Sequence, residues 1–312
     1  MIVSASRRTD IPAYFGEWLM RRIRAGYCEV ANPFNPSRIR RVELDPASVD
    51  CFVFWTRHPK SLYPYLIELD RRGFSFYFTW TVLDYPRYFE PQLPALETRA
   101  RLFERVSERL GPHRVVWRYD PIVFTDVTGP EFHLRAFERL AVRLAPFTDS
   151  VVVSIYDHYR KLDSRMADLA RRGAGLTGFE NDPESLRSFM RELAAVAASH
   201  GLAIRSCAED HDLAGTGITE GACIDGERIA HVTGRKAELP KDPGQRTRCN
   251  CVASVDIGAY DTCPAGCVYC YATGRRERIS ARMRSHDPGS PQLVEERTVR
   301  AAGVGSRPPG GS

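Results

Sequence analysis

Residues 74–124 read FSFYFTWTVLDYPRYFEPQLPALETRARLFERVSERLGPHRVVWRYDPIVF. A run of aromatic and β-branched residues (74–82) is followed by a stretch whose apolar residues, Leu96, Ala100, Phe103, Val106 and Leu110, recur three or four apart. Gly111 ends that stretch, and a second apolar run (114–124) follows. A run that is apolar at nearly every position fits a strand buried on both faces. The stretch between fits an amphipathic helix closed by a left-handed glycine. Strand, helix and strand in this order join parallel strands through a right-handed crossover.

The same unit repeats outward in both directions. Further strand candidates are MIVSAS (1–6), YCEVANPF (27–34), CFVFWTR (51–57), SVVVSIYD (150–157) and LAIRSCAE (202–209), with ACIDGERIA (222–230) a weaker eighth. Helical patterns lie between them, and 35–49 reads as a loop or short helix. Repeated alternation predicts an α/β protein with a parallel sheet, and we expect a (β/α) TIM-like barrel, complete or partial. The first strand is followed by SRRTDIP rather than a glycine-rich dinucleotide loop, so an open nucleotide-binding sheet is less favoured. The expected organisation is a barrel over 1–230, a polar linker over 231–248, a Cys-rich element over 249–273, and a basic, largely disordered tail over 274–312.

The chain has 312 residues, 43% hydrophobic and 27% charged, enough for a full core. No run of 18 apolar residues occurs and the N-terminus lacks an apolar leader, so a cytoplasmic protein without membrane contact is expected. Net charge is +5, of which +4 falls in 274–312, with eight Arg against four acidic residues. That tail is the candidate contact for nucleic acid, against the plainer reading of a solvated tail.

Nine cysteines are many for a reducing compartment, where disulfides are rare. Cys28 and Cys51 stand alone in apolar stretches, as small buried hydrophobes do. The other seven fall within 64 residues. Cys263, Cys267 and Cys270 form Cys-x3-Cys-x2-Cys followed by an aromatic, in TCPAGCVYCYA. Three thiolates so spaced can hold three irons of a [4Fe–4S] cluster and leave the fourth open. Zinc, with Cys249 and Cys251 completing a set, stays open as an alternative. Cys249, Cys251, Cys207 and Cys223 are candidate ligands of a second cluster.

The Cys-x3-Cys-x2-Cys-aromatic loop resembles that of radical S-adenosylmethionine enzymes, and GCVYCYA is similar to the wording of their spore-photoproduct-lyase-like branch. The resemblance implies S-adenosylmethionine as cofactor, an external electron donor, Cys263, Cys267 and Cys270 as ligands, and Tyr271 beside the cofactor. In that superfamily the loop follows the first strand, whereas here it follows the last. Across the chain, SASRRTDIPAYFGEW, FWTRHPK, WRYDPI, SCAED, GACID and CNCVASVDIGAYDTCPAGCVYCYA together resemble a bacterial family catalogued as a domain of unknown function, number 1848 in that series.

In (β/α) barrels chemistry sits at the C-terminal ends of the strands. There the sequence offers Arg7, Arg8, Asp10, Arg57, Arg118, Asp120 and Glu209. The arginines suit a carboxylate or phosphate, and the acids suit pairing or acid–base work. Arg7, Arg8, Asp10, Arg118, Asp120 and Glu209 are the candidate catalytic residues. The expectation is an iron–sulfur enzyme acting on an anionic, small-molecule or nucleotide-like substrate. Two rivals stand beside it: a nucleic-acid-associated, repair-like protein with a structural cluster or zinc, and a non-redox barrel enzyme with a zinc clip.

Overall fold

The computed structural model describes residues 1–236 and 238–295. The chain runs β1 (Ile2–Ala5), α1 (Ile11–Tyr14), α2 (Gly16–Ala25), β2 (Tyr27–Ala31), β3 (Ile39–Glu43), β4 (Cys51–Thr56), α3 (Leu66–Arg71), β5 (Phe76–Thr81), α4 (Leu96–Leu110) and β6 (Val115–Ile122). It continues α5 (Pro130–Leu144), β7 (Ser150–Ile155), α6 (Asp163–Arg171), α7 (Pro183–Ser199), β8 (Ala203–Cys207), β9 (Thr219–Gly221), α8 (Gly226–Thr233), β10 (Val255–Asp256) and α9 (Arg276–Arg284). Eight strands form one parallel sheet in the order β10-β1-β4-β5-β6-β7-β8-β9.

Alternation along the strands builds two cores. Val3, Phe52, Phe54, Phe76, Phe78, Trp80, Trp117 and Val151 face the helices in the larger one. On the opposite face Ile2, Val53, Tyr77, Val116 and Val152 pack with Cys223, Ile224, Cys249, Cys251 and Val252 in the smaller one. That second core requires the sheet to curl. Tyr77 of β5 donates its hydroxyl to Cys223 O (3.0 Å) and accepts from Asp225 N (3.2 Å), both just past edge strand β9. In a flat sheet four strand spacings would separate β5 from β9 by about 19 Å. Beyond the two edges, Val252 N donates to Ile224 O at 3.0 Å. The architecture is thus α/β with a mostly parallel sheet, compatible with the expected TIM-like fold.

Several elements differ from expectation. YCEVANPF does not enter the main sheet; β2 pairs antiparallel with β3 in a separate hairpin. Its partner IRRVE is exposed at four of five positions, so this surface suits water rather than a buried sheet. That pairing also places a strand in 35–49, expected as a loop or short helix. Within ACIDGERIA the Asp225 carboxylate caps Glu227 N and Arg228 N, so the chain turns into α8, and β9 lies just before it. The Cys-rich stretch 249–273 is joined to the body, because β10 pairs with β1.

The stretch 285–292, expected to be disordered, docks on α2 and β2. Trp18 Nε1 donates to Ser290 O (3.0 Å), an Arg22 N–H to Gly289 O (3.0 Å) and Glu29 N to Pro291 O (2.9 Å). The remainder of the expected tail, 296–312, lies outside the described residues. Among the described residues no helix is long and apolar enough to cross a membrane.

Candidate functional site

Asp256 of β10 ties the last strand to the first. Its carboxylate accepts from Ser4 Oγ (3.1 Å), Ser6 Oγ (2.7 Å), Arg7 N (2.8 Å) and Gly258 N (2.9 Å). A Cβ at Gly258 would lie 2.0 Å from Ser6 Oγ, so only glycine permits this approach. Because β10 runs parallel to β1, the loop after it emerges beside Arg7 and Asp10 at the C-terminal end of the sheet. This late cysteine loop therefore leaves a strand next to β1.

The loop is anchored along its length. Val268 N donates to Phe89 O (3.0 Å) and Gln92 N to Ala265 O (3.3 Å). Tyr271 Oη donates to Arg7 O (2.9 Å), and Arg165 of α6 reaches Cys270 O (3.2 Å) and Thr273 O (2.7 Å). Beneath it lies a buried charge network. Glu90, 3% exposed, accepts from Arg57 and from the Tyr269 hydroxyl and pairs with Arg99 at 3.3 Å. Asp10 accepts from Ala13 N (2.9 Å) and Arg57 N (2.7 Å). Burial pushes its carboxyl up to about 6, against the pull of those donors.

Burial pushes the Cys267 thiol up to about 12, with Arg57 drawing it back down, and also raises Cys263. Asp10 and the other two thiols add to the rise at Cys263. Cys263 and Cys267 are thus neutral thiols until a cation favours their ionised form. As they stand, no three His, Cys, Asp or Glu side chains among the described residues are arranged to enclose a metal ion. The donor chemistry nevertheless fits a cluster: soft thiols on a tightly held loop, with the Arg57 cation close to Cys267.

A second group gathers inside the curl. Cys207 Sγ lies 2.6 Å from Cys223 Sγ, and Cys249 and Cys251 pack in the same buried cluster. Arg118 donates to Cys223 Sγ and pairs with Asp120 at 2.7 Å. Burial alone would raise Asp120, but Arg118 and the Ser154 hydroxyl outweigh it and hold the carboxyl below its usual range.

The candidate catalytic and cofactor-binding residues therefore separate. Asp10 and Tyr271 lie at the cysteine loop, and Arg118 and Asp120 at the four cysteines. Arg7 stands between, 3.6 Å from Asp242 and 3.9 Å from Asp256. Arg8 lies 4.0 Å from Asp256 and lines a groove with Asn32, Tyr260 and Arg278. Glu209 accepts from Ile155 N (2.9 Å) and His211 N (3.3 Å), and burial raises its carboxyl. Glu90 and Arg165 had no signal in the sequence, each an ordinary residue until the loop folds over it, and Tyr269 stood inside the motif without an assigned role.

The model of the family described as Domain of unknown function (DUF1848) matches residues 2–272. The chain belongs to this family. The match runs from β1 through the cysteine loop, so the family's span includes both cysteine groups. No curated protein matches. Among solved structures, a D-hydantoinase from a Bacillus species shares 10% identity at TM-score 0.27, covering 60% of this chain and 37% of its own. A dihydropyrimidinase from Brevibacillus agri shares 10% at 0.28, covering 74% and 43%. A putative α-L-fucosidase from Bacteroides thetaiotaomicron shares 11% at 0.28, covering 76% and 86%. The DUF1848 chain thus spans less than half the length of the first two, and scores this low carry no argument about its chemistry.

Proposed function

We propose that this DUF1848 protein is an iron–sulfur enzyme of the radical S-adenosylmethionine kind, built on a TIM-like barrel. Cys263, Cys267 and Cys270 would hold a [4Fe–4S] cluster. The observation that carries the reading is the anchored Cys-x3-Cys-x2-Cys loop leaving β10 at the C-terminal ends of the strands. When bound, such a cluster supplies an open iron and a single electron from an external donor. The chain's own residues hold the loop and exclude water. Glu90 fixes Tyr269 and Arg57, and Asp10 receives the Arg57 main chain. Tyr271, exposed beside the third thiol, would border the cofactor. Arg8, opening on the groove past Gly258, would meet an anionic substrate.

Iron and sulfide are measured on anaerobically purified protein, with Cys267→Ser as control. About four irons and four sulfides per chain in the wild type, lost in the variant, are expected. Reduced protein given S-adenosylmethionine is expected to release 5′-deoxyadenosine. A wild type without iron would sink the whole reading. A cluster that never cleaves the cofactor would sink the radical part alone.

A further inference from the structure

Four cysteines outside the loop converge from three chain segments. Cys207 ends β8, Cys223 follows β9, and Cys249 and Cys251 precede β10. They pack in one buried cluster, in which Cys207 Sγ meets Cys223 Sγ at 2.6 Å. Ile224 N adds a donor to Cys251 Sγ at 3.4 Å. Cys223, Cys249 and Cys251 are buried and Cys207 is half-buried. Cysteines acting as small core hydrophobes have no reason to turn their sulfurs toward one another. Nor does an apolar core place a guanidinium on sulfur, yet Arg118, only 6% exposed, donates to Cys223 Sγ.

We propose that Cys207, Cys223, Cys249 and Cys251 bind one zinc ion as a closed four-thiolate centre, separate from the cysteine loop. Zinc is favoured over a second cluster by space. A cubane puts irons and sulfides between its thiolates, and sulfurs as close as those of Cys207 and Cys223 leave room for one small ion. Zinc about 2.3 Å from each sulfur holds neighbouring sulfurs about 3.8 Å apart. Cys207 and Cys223 would open by about 1 Å to admit it. Four zinc–sulfur bonds form, the thiol protons leave to solvent, and no electron moves. The centre then carries net negative charge, which the buried Arg118 cation offsets through its N–H···S contact.

The consequence is mechanical. Residues 222–225 and 249–252 bridge the open edges of the sheet, where Val252 N meets Ile224 O. A zinc joining these two segments to the end of β8 clamps the curl shut. The proposal does not depend on the iron–sulfur reading.

Zinc, iron and sulfide are measured together on the full chain, on Cys223→Ser and on Cys267→Ser. About one zinc per chain is expected in the wild type, lost in Cys223→Ser and kept in Cys267→Ser. Iron is expected to follow the reverse pattern. Should Cys223→Ser fail to fold, an organomercurial titration of wild-type protein with a zinc-responsive dye is expected to release the same single ion. Cobalt exchanged into that site is expected to give the intense visible bands of a tetrahedral thiolate centre. Iron and sulfide lost from Cys223→Ser in the amount of a second cluster would overturn the proposal. So would zinc-free protein in which Cys207 and Cys223 form a disulfide. Zinc present with no iron in any sample would refute the iron–sulfur reading and leave this one standing.

Discussion

Glu90 is the residue on which the cysteine loop rests. It is 3% exposed and faces two guanidiniums and a phenol. Removing one partner of a buried ion pair leaves the others charged and unmatched, which costs more than the pair contributes. Glu90→Ala is expected to lower unfolding free energy by about 3–5 kcal/mol in urea titrations. Because the same carboxylate holds Tyr269 in the loop, iron per chain is expected to fall with it. Glu90→Gln, which keeps the shape and one acceptor, is expected to lose less of both. A Glu90→Ala midpoint equal to wild type would remove the network from the account. None of this was visible in YFEPQLP, where Glu90 is one acidic residue in a loop between strand and helix. By contrast, the three ligand candidates were legible at once, since their spacing is local.

At the scale of elements, the joint between β1 and β10 decides where the cysteine loop goes. Strand β10 has only two residues, so its position depends on Asp256 and on the close passage of Gly258 over Ser6. Gly258→Ala would force a methyl into the Ser6 side chain, and overpacking of this kind costs about 1–3 kcal/mol. The variant is expected to unfold at lower denaturant and to show faster amide exchange at Val255–Ile257, which hydrogen exchange reads directly. Unchanged protection there would mean that the loop is held by its own anchors alone. The strands with strong runs, β1 and β4 to β8, were legible because apolar, β-branched and aromatic residues predominate in and around each. Two short elements were not. In β2 the apolar run is the same, but its exposed partner β3 takes it out of the sheet. At Asp225 a side-chain cap overrides the weak strand pattern that follows.

At the scale of the molecule, stability carries a pH signature from His133 on α5. The imidazole is fully buried; it accepts from the Tyr119 hydroxyl (2.9 Å) and donates to Val123 O (3.2 Å). Burial lowers its pKa from 6.5 to about 4. The unfolded chain therefore binds the extra proton between about pH 6.5 and about pH 4, and folded stability is lost as pH falls through that window. The loss from this one group is about 3 kcal/mol at most. Denaturation at pH 7 and pH 5 is expected to show the drop, with a shallower slope in His133→Gln. A slope equal to wild type in that variant would assign the effect elsewhere, with His58, also lowered by burial to about 4, the next candidate.

By itself, the sequence determined the alternation of strands and helices, the parallel sheet and the three-cysteine loop. Each of these is written in short-range spacing: periodicity records which face of an element is buried, and a ligand triad within eight residues needs no distant partner. Only the tertiary structure decided that a loop after the last strand stands beside the first. It also decided that Cys207, Cys223, Cys249 and Cys251 pack in one cluster, and that Arg118 and Asp120 belong with them. The reason is that strand pairing and curling bring together residues far apart in the chain, such as Ser6 and Asp256, 250 positions apart. Spacing along the chain carries no record of which strand edges will meet.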